Sequence, residues 1–166
     1  MNNSFLIRQA GLQDLPAIKQ LAYEIWPLAY GTILSADQLD YMLALIYDLE
    51  ALGRQMDAGH QFLLAENNAL PVGFASFSVY EAPDLYKLHK IYVKQDTQGT
   101  GLGSILLDTV KKLAKEQGGN QLLLNVNRQN SARLFYEKKG FRIIREEDID
   151  IGEGYWMNDY VMQTEL

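Results

Sequence analysis

Three glycines, Gly99, Gly101 and Gly103, stand at alternate positions in "KLHKIYVKQDTQGTGLGSILLDTVKKLAKEQGG", where an extended apolar stretch runs into a helical one. A helix start carries unpaired backbone N–H groups and the positive end of the helix dipole, so it attracts anions. Glycine lets a phosphate approach the backbone because no Cβ intervenes. One glycine is common in a strand-to-helix turn. Three at alternate positions point instead to a cradle for a phosphate or pyrophosphate. Two well-known cradles are excluded by spacing. No lysine follows Gly103, as GxxxxGK[ST] demands, and the pattern is GxGxG rather than GxGxxG. The next extended stretch also ends in Asn125-Val126-Asn127, without the acid of a dinucleotide fold.

The remaining chemistry is narrow. There is no cysteine, so there is no disulfide, no zinc–thiolate site and no cysteine nucleophile. Two histidines, His60 and His89, lie far apart without a ligand motif, and no metal is expected. An ordinary histidine titrates near neutral pH, as a general base should, and His89 sits in the strand that leads to the glycines. His60 opens a strand and has no partner legible in sequence.

The elements that must position these residues follow from periodicity. "FLIRQA" reads as a first strand. Leu15, Ile18, Leu21, Ala22 and Ile25 recur at helical spacing, with Asp14 and Pro16 suited to a helix start. "WPLAYGTILS" reads as a loop broken by Pro27 and Gly31, and "SADQLDYMLALIYDLEALGRQM" as a second helical region. "QFLLAENNALPVGFASFSVYE" reads as two strands joined at Asn67 and Asn68. "YKLHKIYV" is a fourth strand, which places His89 two residues from Ile91 and on its face. A helix beyond the glycines carries Leu102, Ile105, Leu106, Val110, Leu113 and Ala114 on one side and stops at Gly118 and Gly119. "LLLNV" is a fifth strand, and "NSARLFYEKKG" a short helix with Asn130 as its N-cap. Two strands, "FRIIREEDIDI" and "YWMNDYVMQTE", close the chain. The order β-α-α-β-β-β-α-β-α-β-β implies an α/β (α+β) fold with a mixed sheet and helices on its faces.

The 166 residues suit one domain, residues 1–166, and a hydrophobic share of 48% suits a real core. The start lacks the layout of a signal peptide, and no apolar run is long enough to span a membrane, so a soluble cytoplasmic protein is expected. The net charge of −6 is unevenly divided. Residues 87–145 hold 12 of the 15 basic and 4 of the 21 acidic side chains, a net +8, and the rest of the chain carries −14. Such a division suits an anionic ligand on one half and a cationic one on the other.

"QGTGLG", Gln98 to Gly103, resembles the Q/R-x-x-G-x-G/A acetyl-CoA motif of the GNAT family of N-acetyltransferases. "KLHKIYV" before it and "NRQNSARLFYEKKGF" after it match the family in order and spacing. The resemblance spans the whole element order and is strongest from Leu88 to Phe141. It implies the GNAT fold, a mostly antiparallel sheet of about seven strands with helices on both faces. It implies acetyl-CoA as cosubstrate, its pantetheine arm held by Ile91, Tyr92 and Val93. The pyrophosphate would meet backbone N–H groups of Gln98, Gly99, Thr100, Gly101, Leu102, Gly103 and Ser104. Asn125, Asn130 and Arg133 fall on further cofactor positions. The fourth and fifth strands are expected to splay and hold the thioester between them.

In the same resemblance Tyr136 falls on the acid that protonates the departing thiolate, and His89 on a position that takes the amine proton in some members. Lys87 stands where some relatives carry an acid. Without cysteine, direct transfer in a ternary complex is expected rather than a cysteinyl intermediate. The tail "REEDIDIGEGYWMNDYVM" is similar to polyamine-acetylating members. The acidic N-terminal helices and C-terminal strands, with Asp37, Asp40, Asp48, Glu50, Glu146, Glu147, Asp148, Asp150 and Glu153, then suggest a small cationic amine such as a polyamine. Trp26 and Tyr30, with Tyr23, supply aromatic faces for it. A protein N-terminus, an aminoglycoside and a CoA-binding module without catalysis stay open as alternatives. The low pI of about 4.9 and the lack of a recognition motif argue against nucleic acid. The expected partners are the amine and a second copy of the chain as a homodimer, with neither nucleic acid nor membrane.

Overall fold

Strands β2 (Gln61–Asn67) and β3 (Leu70–Tyr80) are apolar on both faces, which is the pattern of strands covered on both sides. Phe62, Leu64 and Phe74 point one way, and Leu63, Ala65, Val72, Ala75 and Phe77 the other. Each set meets a different group of helices, so the sheet carries two cores. The computed structural model describes residues 4–166; the first three residues of the N-terminal stretch lie outside it. Seven strands form one sheet in the order β1-β2-β3-β4-β5-β7-β6, with β1 Phe5–Gln9, β4 Ala82–Val93, β5 Gln121–Asn127, β6 Arg142–Gly152 and β7 Tyr155–Glu165. Every neighbouring pair is antiparallel except β4 and β5. This is the mixed, mostly antiparallel sheet expected from the sequence.

Helices α1 (Leu15–Tyr30), α2 (Ala36–Tyr47) and α3 (Leu49–Asp57) cover one face, sharing a core with Phe62, Leu64 and Phe74. Helices α4 (Leu102–Glu116) and α5 (Ala132–Lys138) cover the other through Leu102, Leu106, Leu107, Val110 and Tyr136. Among the described residues, no helix is long and apolar enough to cross a membrane.

The helical boundaries differ from the sequence reading in three places. The stretch read as a loop at Pro27 is the last part of α1, which continues to Tyr30 and closes with Gly31 N–H on the Pro27 carbonyl at 3.0 Å. Pro27 has no N–H for the Tyr23 carbonyl, which costs the helix a bond. Packing outweighs that loss, because Trp26 is buried with its ring 4.7 Å from Tyr30 and 5.4 Å from Tyr47. The second helical region divides at Asp48, whose extended backbone ends α2 and whose carboxylate caps α3 by accepting from Glu50 N at 2.6 Å and Ala51 N at 3.4 Å. Ser131, not Asn130, is the cap residue of α5; Asn130 Oδ1 accepts from Ala132 N at 2.9 Å from one position earlier.

Candidate active site

β4 and β5 pair only from Leu85 and Gln121 to Leu88 and Leu124. Beyond that short seam, β4 stays with β3 and β5 stays with β7, so the two strands part. A cleft of about 740 Å³ opens at the parting. Its walls are His89, Ile91, Tyr92 and Val93 from β4, Asn125 from β5, Asn130 and Tyr136 from the α5 region, and Tyr30 from α1. Gln98, Gly99, Gly101, Leu102 and Gly103 form its far end.

The glycines have separate causes. Gly99 at φ +81° and Gly101 at φ +86° occupy left-handed backbone, where a side chain is strained. Gly103, inside the first turn of α4, has no such requirement. A Cβ there would reach only Phe135, at an ordinary 3.8 Å, so neither backbone nor packing explains the missing side chain. Gly103 lines the cleft. The first backbone bond into α4 is Ile105 N to Gly101 O at 3.0 Å, which leaves the N–H groups of Leu102, Gly103 and Ser104 facing outward from the helix start. Lys139 adds positive charge beside them, with Nζ 2.8 Å from Ser104 Oγ and 2.7 Å from Asp108 Oδ1. Sequence reasoning missed Lys139, although it lies in the same quoted segment as Tyr136.

Not every expected cofactor residue reaches the cleft wall. The Thr100 hydroxyl donates to the Thr97 carbonyl at 2.5 Å, and Ser104 is engaged by Lys139. Arg133 pairs with Glu137 at 2.7 Å and lies over the Tyr160 ring at 6.0 Å. Tyr136 is buried against Phe135 and Phe141, and it lines the cleft. Burial holds its hydroxyl well above the usual phenol range, so it stays protonated at all ordinary pH.

His89 is reached through a break in strand alternation. Ser76 faces Lys90 and Phe77 faces Leu88, which leaves His89 as the unpaired residue of a β-bulge. Its ring turns to Ser78, with Nε2 2.7 Å from Oγ, and stacks on His60 at 3.9 Å and 4°. Ile91 packs instead against the α4 core, so the two residues do not share a face as strict alternation predicts. Burial first, then the neighbouring His60 and the two lysines, push His89 down to about 3. It is an uncharged ring across the working range of pH.

A second cavity of about 330 Å³ adjoins the cleft. The two share Tyr30, Leu88, His89, Lys90, Tyr92 and Asn125. Trp26 lines this second space only, and Tyr30 and Tyr92 join hydroxyls at 2.9 Å beside it. Among the described residues its one carboxylate is Asp159 of β7, which is buried and accepts from Asn125 Nδ2 at 3.2 Å. Burial, above all, raises the Asp159 carboxyl, and nearby Glu147 adds to the effect. Of the acids that suggested a cationic acceptor, only Glu147 comes near, as a second acceptor for Asn125 Nδ2 at 3.1 Å. Asp37, Asp40, Asp48, Glu50, Glu146, Asp148, Asp150 and Glu153 are exposed. Lys90 and Asp159 escaped the sequence reading. A charged residue at an inward position of an apolar strand was the available signal for both.

The chain matches the family described as "Acetyltransferase (GNAT) domain" over residues 34–163. It is 28% identical over 153 residues to the spermidine N(1)-acetyltransferase of Thermoplasma acidophilum, covering 89% of this chain and 92% of that one. It is 30% identical over 115 residues to the L-amino acid N-acyltransferase MnaT of Escherichia coli, covering 66% of each. Its fold superposes on the PaiA N-acetyltransferase of Thermoplasma acidophilum, solved in complex with coenzyme A, with a TM-score of 0.82, 27% identity and coverage of 98% and 99%. With the splayed strands, the glycine loop and the buried tyrosine already in place, these likenesses settle the family: the chain belongs to the GNAT acetyltransferases and is an acetyl-CoA-dependent N-acetyltransferase.

Proposed function

We propose that the protein acetylates the primary amine of a small molecule by direct transfer, with the thioester in the larger cleft and the amine in the adjoining cavity. The observation that carries this reading is the wall that the two spaces share, Leu88 to Lys90, Tyr92 and Asn125. An amine in one space then lies next to a carbonyl in the other. The amine nitrogen attacks the thioester carbonyl, the C–N bond forms and the C–S bond breaks. Tyr136 gives its proton to the departing thiolate, and the second proton that the nitrogen sheds on becoming an amide restores the phenol. A hydroxyl kept protonated by burial suits that task. The ammonium must lose a proton first. His89, held near 3, is too weak a base for it, so its part in this reading is to shape the bulge. Asp159, raised by burial and set beside Asn125, holds the ammonium and takes the proton. The pyrophosphate rests on the N–H groups of Gly99 and of Gly101 to Ser104, because those of Gln98 and Thr100 already donate to the Gln95 and Thr97 carbonyls at 3.2 and 3.4 Å.

A polyamine is a second reading of the acceptor, favoured by the similarity to a spermidine acetyltransferase and by Asp159 in the cavity. The exposed acids support it only through long-range attraction, which salt screens. The expected homodimer belongs to the same proposal, supported by the outer strand β6 with Ile143 and Ile144 part-exposed; sedimentation tests it. Acetyl-CoA turnover with spermidine, an aminoglycoside, amino acids and N-terminal peptides tests the main reading. Acetylation of at least one amine is expected. CoA binding without turnover on any amine would make the chain a binding module instead.

A further inference from the structure

Lys90 is 7% exposed and lies on the face of β4 that packs against α1–α3. Its Nζ donates to Gln55 Oε1 at 2.7 Å and stands 5.5 Å from the Tyr47 ring centre and 5.6 Å from that of Phe62. Gln55 is itself fixed, because its Nε2 donates to the Ile46 carbonyl at 3.0 Å. No carboxylate among the described residues forms an ion pair with Lys90. A buried ammonium with one neutral partner is expensive, and proteins normally pair such charges. The cost shows in the amine itself, which burial pulls down to about 8.

The neighbours of Lys90 share the same deficit. Trp26 Nε1, Tyr47 Oη and His60 Nδ1 are buried and make no well-formed hydrogen bond among the described residues, the indole N–H standing only near the Tyr47 oxygen. All three residues line the smaller cavity together with Lys90. An indole N–H donates and cannot accept, and a phenol donates well. Each unmet buried donor costs free energy, and here several converge on one space. Lys87, half-buried on the same wall, forms no ion pair among the described residues, but Glu147 and Asp159 act on it, so its charge belongs to the Asp159 end and leaves Lys90 as the charge without a counter-ion. A polycation would bring further positive charge to this end. An anion would supply what it lacks.

We infer that the acceptor carries a carboxylate as well as its amine, and that Lys90, with the Trp26 N–H and the Tyr47 hydroxyl, receives that carboxylate. This rests on the acetyltransferase reading of the site. The acceptor then lies across the cavity with its ammonium toward Asp159 and Asn125 and its carboxylate toward Lys90. Met42, Ile46 and Met157, also on the wall, take an apolar side chain. The acceptor class is an amino acid with a medium-sized apolar side chain, free at its carboxyl.

The test compares L-methionine, L-phenylalanine, their amides, the corresponding decarboxylated amines and spermidine, using the full chain. Turnover is read as kcat/KM, and binding to the CoA-loaded protein is read by calorimetry. The acids should exceed their amides roughly tenfold or more in both readouts, the low end for a hydrogen bond to a buried charge. Lys90→Met, which keeps the length and removes the charge, should erase that preference. Equal binding of acid and amide by the wild-type protein overturns the inference, whether or not Lys90→Met folds. So does a preference that survives Lys90→Met. Turnover of spermidine or an amide ahead of the acids sinks this inference and leaves the acetyltransferase reading standing. Carboxylate-dependent binding without turnover does the reverse.

Discussion

The two spaces on either side of the β4–β5 parting are built by opposite means. The larger cleft presents backbone: the N–H groups of Leu102, Gly103 and Ser104, and the free edge of β4 at Ile91 to Val93. The smaller cavity presents side chains drawn from α1, α2, α3, β4, β5, β6 and β7. A backbone site needs a local sequence that bends one way and leaves room. A side-chain site needs distant residues brought together by the whole fold. The first kind tolerates few changes and reads as a motif. The second kind permits many residue sets on one scaffold.

Breaking the backbone site should have the largest effect. Gly103→Val adds a branched side chain where the φ is ordinary and the space is open, so it should fold with nearly unchanged thermal unfolding and show no CoA binding by calorimetry. Gly101→Val, by contrast, forces a branched residue to φ +86° and should lose stability as well as CoA. Normal CoA affinity in a folded Gly103→Val would end the cradle reading. Tyr136→Phe comes next. It should keep CoA affinity and lower kcat about 10²-fold, the low end for a positioned acid. Wild-type turnover in that variant would assign the proton to another donor.

The side-chain site should respond more mildly. Asp159→Asn should lower kcat/KM roughly tenfold, as expected for one charge-assisted hydrogen bond. The sign of its pH dependence follows from the raised carboxyl. Asp159 gains its charge as pH rises through a value above the ordinary carboxylate range, so activity should climb there and the limb should vanish in the variant. A limb that persists unchanged would belong to the acceptor amine. The smallest effect is expected for His89→Gln. A ring already neutral above about pH 3 contributes no limb near neutrality, so the profile should keep its shape. Loss of an ascending limb in that variant would restore His89 as the base and remove Asp159 from the role.

The sequence made the donor side legible because its cause is local. Gly99, Gly101 and Gly103 sit within five residues, and the strand before and helix after follow from periodicity alone. Tyr136 became legible only through the segment around it. The acceptor side was read from charge counts, and most of those acids project to solvent. No count shows that Asp159 turns inward while Glu153 turns out, since both lie at the same end of the chain. Pairing with Asn127 across β5 decides the first, and a left-handed turn at φ +55° carries the second. The face of His89 failed for a related reason: a bulge cancels the two-residue period on which the inference rests. Pro27 misled because a lost helix bond is visible in sequence and the burial of Trp26 is not.

Asp48 works as a joint between α2 and α3, one residue wide and exposed to water. Tyr47 stands immediately before it, and Gln55 rides on the helix it starts. Those two residues form much of the cage around Lys90. The angle set at this surface position therefore reaches inward, as a lever does, to the residues that stand around the Lys90 ammonium. Substrate choice in such a scaffold is open to change from outside the pocket. A substitution that no ligand ever touches can retune what the enzyme accepts, and a comparison of pocket residues alone would not detect it.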